Sequence, residues 1–94
     1  MGIKTIHLKE TREIHGGIQK IYQFPNGYGA SVIKHKGSYG YDLDKWEIAP
    51  LGQESEFIGQ SVFEWYDDVK GYLNDPQVDS ILKQISLMEV PADA

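Results

Sequence analysis

The chain has 94 residues, with 14 acidic against 9 basic side chains and a net charge of −5 at pH 7. That length allows one thin-cored domain; a hydrophobic content of 40% and an aromatic content of 12% suffice for a core and exclude wholesale disorder. The absence of cysteine excludes disulfide frameworks, thiolate catalysis and cysteine-based metal sites, and the acidic balance argues against a general nucleic-acid binder.

Residues 1–7 lack the apolar stretch of a signal peptide, and Ile6 stands where a myristoylation signal has Ser or Thr. No apolar run approaches the roughly 20 residues of a membrane span. The expectation is an intracellular protein with no membrane attachment. Ile3, Ile6 and Leu8 suggest an edge strand over 3–9, with 12–17 as its connection. Ile18, Tyr22 and Phe24 alternate with Gln19 and Gln23, which reads as a half-buried strand. Pro25-Asn26-Gly27 supplies a turn, and the strand over 28–35 returns antiparallel. A loop over 37–42 leads to a strand at 45–49, and a turn over 51–55 to a short strand around 56–58.

From Ser61 the period turns helical. Ser61 and Glu64 match a capping box, and Val62, Trp65, Tyr66, Val69, Tyr72 and Leu73 follow at helix-face spacing. The second helix has Asp75 as N-cap, Pro76 at the first helical position, and one stripe of Val78, Ile81, Leu82, Ile85 and Met88. Asp79 and Lys83 are read as an ion pair on its wet side. Neither helix stands alone at this length. The expected fold class is therefore α+β: an antiparallel four- or five-stranded meander sheet packed against two C-terminal helices. It forms a single domain over 1–89, with 90–94 as a disordered tail.

No catalytic constellation appears, and the reading is non-enzymatic, with no cofactor and no metal. His7, His15 and His35 fall in separate segments, outside any metal-ligand spacing. A metal-dependent alternative requires His7 and His35 to meet beside a carboxylate. Asp67 and Asp68 are adjacent, so on a helix they diverge by about 100°. Ser31 sits in Gly29-Ala30-Ser31-Val32, which is no nucleophile elbow.

The aromatics carry more information, because Tyr and Trp bury large area while keeping a polar handle. Tyr22, Trp46, Trp65 and Tyr72 are read as core. Tyr39 and Tyr41 share a loop with Gly37 and Gly40, the composition of an adaptable binding surface. The charge is also split. Residues 1–45 hold seven basic and four acidic side chains (7 − 4 = +3), and residues 46–94 hold two and ten (2 − 10 = −8). Such asymmetry is the kind that accompanies a partner or self-association, but the preferred reading is a strand-rich half and a helix-rich half that differ in surface composition.

Asn26-Gly27-Tyr28-Gly29-Ala30-Ser31-Val32, then Ser38-Tyr39-Gly40, then Trp46-Glu47-Ile48-Ala49, resembles a set of small uncharacterised bacteriophage proteins. Their shared pattern is an NGYGASV segment, an SYG loop, a W/Y-E-[LI]-A strand and an acidic helix start like Asp67-Asp68-Val69-Lys70-Gly71-Tyr72-Leu73. The resemblance covers about residues 18–85. In those proteins a Thr-Pro turn precedes the paired acids, where this chain has Glu64-Trp65; the first helix thus starts at Ser61 or near Tyr66. The resemblance implies a phage origin and the host cytoplasm, and no activity.

The reading that results is a phage-encoded accessory protein that binds an unidentified host or phage protein through Tyr28, Tyr39, Tyr41, Lys34 and Lys36. An open sheet edge also makes a homodimer an option. The alternative is weak association with single-stranded nucleic acid, using the basic strand region and the tyrosine loop. The overall acidity counts against it.

Overall fold

The computed structural model describes residues 7–89. Five strands come first: β1 (Leu8–Ile14), β2 (Gly17–Gln23), β3 (Gly29–Lys34), β4 (Trp46–Leu51) and β5 (Lys70–Leu73). A helix, α1 (Asp75–Ser86), follows them. The strands form one antiparallel sheet in chain order, β1-β2-β3-β4-β5. The α+β meander is as expected, but among the described residues it carries one helix rather than two. The 90–94 tail and residues 3–6 of the expected N-terminal strand lie outside the described residues.

Opposed residues of neighbouring strands share a face. Tyr22 lies opposite Ala30, which lies opposite Pro50; Lys20 lies opposite Val32, which lies opposite Ile48. On this face α1 lays Val78, Leu82 and Ile85, each at most 1% exposed, against Tyr22, Ala30, Val32 and Ile48. Burial of each such side chain is worth about 1.5–3 kcal/mol.

Both helix ends are fastened by side chains. Asn74, one residue earlier than the expected cap, accepts from the Gln77 amide at 2.9 Å, and the Gln77 side chain accepts from the Asn74 amide at 2.8 Å. At the other end Asn26 Nδ2 donates to the carbonyls of Ile85 (2.8 Å) and Met88 (2.9 Å). Asn26 Oδ1 meanwhile accepts from the Tyr28 amide at 3.0 Å, closing an Asx turn. The Asn26-Gly27 turn thus ties the β2–β3 hairpin to the end of a helix 59 residues away.

Two expectations about strands are corrected. The first strand is Leu8–Ile14, and its connection is only His15-Gly16 rather than residues 12–17. Both turn residues have positive φ, 46° and 74°, the type I′ geometry that matches strand twist. Every side chain from Lys9 to Glu13 is exposed, so this edge strand has no apolar alternation to read. The segment at 56–58 contributes only an isolated bridge between Leu51 and Phe57.

The first expected helix is absent, whether started at Ser61 or near Tyr66. Residues 70–73 are extended instead, with Leu73 opposite Trp46 and Lys70 opposite Ile48. Residues 59–69 close into a loop. The Val62 and Phe63 amides both donate to the Ile58 carbonyl, the Trp65 amide donates to that of Gly59, and Glu64 takes φ 58°. A Cβ at residue 59 would lie 2.3 Å from the Asp68 carbonyl oxygen, so Gly59 is what lets the neck close. A segment containing Gly71 has weak helical preference, and ladder bonds to β4 outweigh it.

Asp79 also departs from the wet side. Its Oδ1 and the Tyr22 hydroxyl are both buried without a hydrogen-bond partner among the described residues. Burial, with the Asp79 charge adding, pushes the Tyr22 phenol up to about 12. A phenol ionises near 10 in the unfolded chain, so its contribution is complete below pH 10 and is lost as pH rises through 12. That window should remove about 2–3 kcal/mol of stability, read by urea denaturation at stepped pH. Tyr22→Phe should flatten this alkaline limb while changing stability at neutral pH by less than about 1 kcal/mol, because no hydrogen bond is lost. Asn26→Ala strands two helix carbonyls and should cost about 1–3 kcal/mol in the same assay.

Candidate aromatic interaction groove

The loop after β3 is built around Ser38, whose Oγ donates to the His35 carbonyl (2.8 Å) and accepts from the His35 amide (3.0 Å). Gly37 and Gly40 take φ 98° and 99°, and a 3-10 turn spans Tyr41–Leu43. Tyr39 is held by its backbone. Its amide donates to Glu47 Oε1 at 2.8 Å, and its carbonyl accepts from the Tyr72 amide at 3.3 Å. A Cβ on residue 71 would sit 2.3 Å from Tyr39 Cβ, so Gly71 is required where loop and strand touch.

The facing wall is the 59–69 loop. Gln60 braces it, its side-chain amide donating to the Tyr66 carbonyl and its backbone amide to Asp68 Oδ1, both at 3.2 Å. Phe63 and Trp65 pack with ring centroids 5.3 Å apart, and Lys70 Nζ lies 5.2 Å from the Trp65 ring centre. Between the walls runs a groove of about 420 Å³ lined by Tyr39, Trp65, Tyr66, Val69, Lys70 and Tyr72, with Asp67 also on its lining. Tyr66 is 95% exposed, Tyr72 57% and Tyr39 55%. Tyr72 holds φ 59°, costly for a bulky residue, where the β4–β5 register slips.

The residues expected to interact are dispersed. Tyr39 lines the groove. Tyr41 sits exposed on the 3-10 turn, outside the groove lining. Tyr28 is half-buried against the core. Lys34 lies 3.1 Å from Asp44 and 4.3 Å above the Trp46 ring, so its charge is engaged within the chain. Lys36 is exposed, with its amide donating to the His15 carbonyl. Trp46 is half-buried and donates from Nε1 to Asp75 Oδ1 at 2.8 Å. Tyr72, read as core, is exposed. Trp65, Tyr66, Val69 and Tyr72, which join Tyr39 here, carry helix-face spacing in the sequence; the local signal for the groove is the Tyr-Gly pairing at Tyr39-Gly40 and Gly71-Tyr72.

His7 packs on Phe24 (5.4 Å between centroids) and His15 on His35 (5.3 Å), so His7 and His35 do not meet. Among the described residues no three His, Cys, Asp or Glu side chains are grouped to hold a metal ion, and no helix is long and apolar enough to cross a membrane. No protein-family model matches the chain, nor does any curated protein or solved structure.

Gly71→Ala should destabilise the fold by more than about 1 kcal/mol, because backbone or loop must give way to the new Cβ. Tyr66→Ala should leave stability within about 0.5 kcal/mol. Thermal unfolding of the two variants side by side checks both.

Proposed function

We propose that the chain is a non-enzymatic protein-interaction module whose groove takes an extended peptide segment of a partner protein. The observation that carries this is an open aromatic groove whose tyrosines stay exposed while their backbones are tied down. Amphipathic rings carried on a backbone that is already fixed are good anchors, because little main-chain freedom is lost on contact. Asp67 on the lining and the −8 of residues 46–94 favour a peptide with basic residues flanking an apolar or aromatic anchor. A phage-encoded accessory role in the host cytoplasm is part of this proposal and rests on the NGYGASV and SYG resemblance.

Association with single-stranded nucleic acid finds less support. Lys20 and Lys34 lie over Trp46, Lys34 is also paired with Asp44, and Lys70 is the one cation among the described residues that line the groove. Panning a random peptide library on the unmodified protein tests the proposal. Enriched peptides should carry an apolar anchor beside Lys or Arg and bind Tyr66→Ala and Tyr72→Ala at least about tenfold more weakly. Enrichment of nothing, or of peptides that bind these variants equally well, would overturn the groove as the site. Salt-sensitive retention of a labelled oligonucleotide would favour the alternative instead.

A further inference from the structure

The other edge of the sheet carries a separate pattern. β1 reads Leu8-Lys9-Glu10-Thr11-Arg12-Glu13-Ile14 and pairs with β2 on one side; among the described residues nothing pairs with its outer side. We infer that β1 is a self-recognition strand, joining two copies of this chain edge to edge, antiparallel, about a two-fold axis through Thr11.

The backbone limits the registers. In the two-residue hairpin, Ile14 and Gly17 must be a hydrogen-bonded pair, so Arg12–Gln19 is bonded too. Glu13 and Thr11, opposite Ile18 and Lys20, therefore turn their N–H and C=O groups outward. Two copies can form a ladder only if outward residues meet outward residues. That leaves registers centred on Glu10, Thr11 or Arg12, among those that pair most of the strand.

Charge then selects one. Centring on Glu10 sets Glu10 against itself, and centring on Arg12 sets Arg12 against itself, each a like-charge clash. A bulge between Leu8 and Glu10 breaks the alternation there and turns Leu8 to the core face beside Tyr22. Within the regular stretch from Glu10 to Ile14, centring on Thr11 sets Glu10 opposite Arg12, twice by symmetry. Both charges that flank Thr11 then meet their opposites. Glu10 and Arg12 already bond within one strand, sharing the face of Ile21 and Gln19, so the dimer closes a four-charge cluster. Glu10 is held below the usual carboxylate range by its hydrogen bond to Arg12. A charged edge also serves to keep strands apart, but the antisymmetric order about Thr11 is more than that role requires. The product is a continuous sheet with both helices on one side, because opposed residues share a face.

Sedimentation velocity over a concentration series tests this. The unmodified chain should move from one chain's mass toward two, and less so in high salt. Glu10→Arg alone, and Arg12→Glu alone, should each weaken association at least about tenfold, since symmetry makes one reversal count at two contacts. Mixed together, the two variants should form a one-to-one heterodimer, because each Arg then faces a Glu. Adding Thr11→Pro to both, which removes an outward N–H and no ladder bond to β2, should abolish it. A chain that stays monomeric, a mixture that fails to associate, or association that survives Thr11→Pro would each overturn the inference.

Discussion

Everything in this molecule depends on the seam between α1 and one face of the sheet. A helix of 12 residues has no independent stability in water, and a five-stranded sheet with a bare apolar face is no better off. Each supplies the surface the other lacks. Val78, Leu82 and Ile85 cover Tyr22, Ala30, Val32 and Ile48, while Asn26 at one end and the Asn74–Gln77 pair at the other satisfy amides and carbonyls that a helix leaves open. The seam also holds the buried Tyr22 hydroxyl and Asp79 oxygen, polar groups set where apolar ones would pack without penalty.

Fixing the centre leaves the two sheet edges with different characters. The β5 edge is short and strained at Tyr72, and the Tyr39 carbonyl takes the Tyr72 amide, so a loop rather than another strand lies against it. What this edge offers is side chains. β1 is the reverse: seven residues, solvent-exposed along its middle, offering backbone groups and an ordered row of charges. The proposed peptide groove and the inferred self-pairing strand thus use opposite ends of one sheet and different chemistry, aromatic contact at one and main-chain bonding at the other.

The parts of the fold legible in the sequence are those whose signals are local. α1 shows its stripe, its Pro76 and its polar start within 12 residues. β2, β3 and β4 show alternation bounded by Gly, Pro and Asn. For β1 the apolar spacing of Ile3, Ile6 and Leu8 points about five residues too early, because the evenly charged run that forms the strand has no apolar period. The helix expected from Ser61 rested on real spacing, but that spacing also suits a loop that folds Phe63 and Trp65 together and then a short strand. Nothing between 61 and 73 reveals that Gly59 must touch Asp68 or that Gly71 must touch Tyr39. The groove was half legible: Tyr39 stood out by its loop composition, whereas Tyr66 and Tyr72 were hidden in a helical pattern.

The sequence alone determined the class of fold, the seam-facing residues of α1 and the meander of its central strands, because hydrophobic period and turn chemistry act over a few residues. It also contains the charge order of β1, which depends only on residue order. Tertiary structure decided which edge β1 occupies, that residues 70–73 pair with β4 rather than coil, and that Tyr39, Trp65, Tyr66 and Tyr72 share one groove. Those outcomes turn on contacts between residues far apart in the chain, where two glycines without side chains allow backbones to close. No local pattern records which distant atom will fill that space.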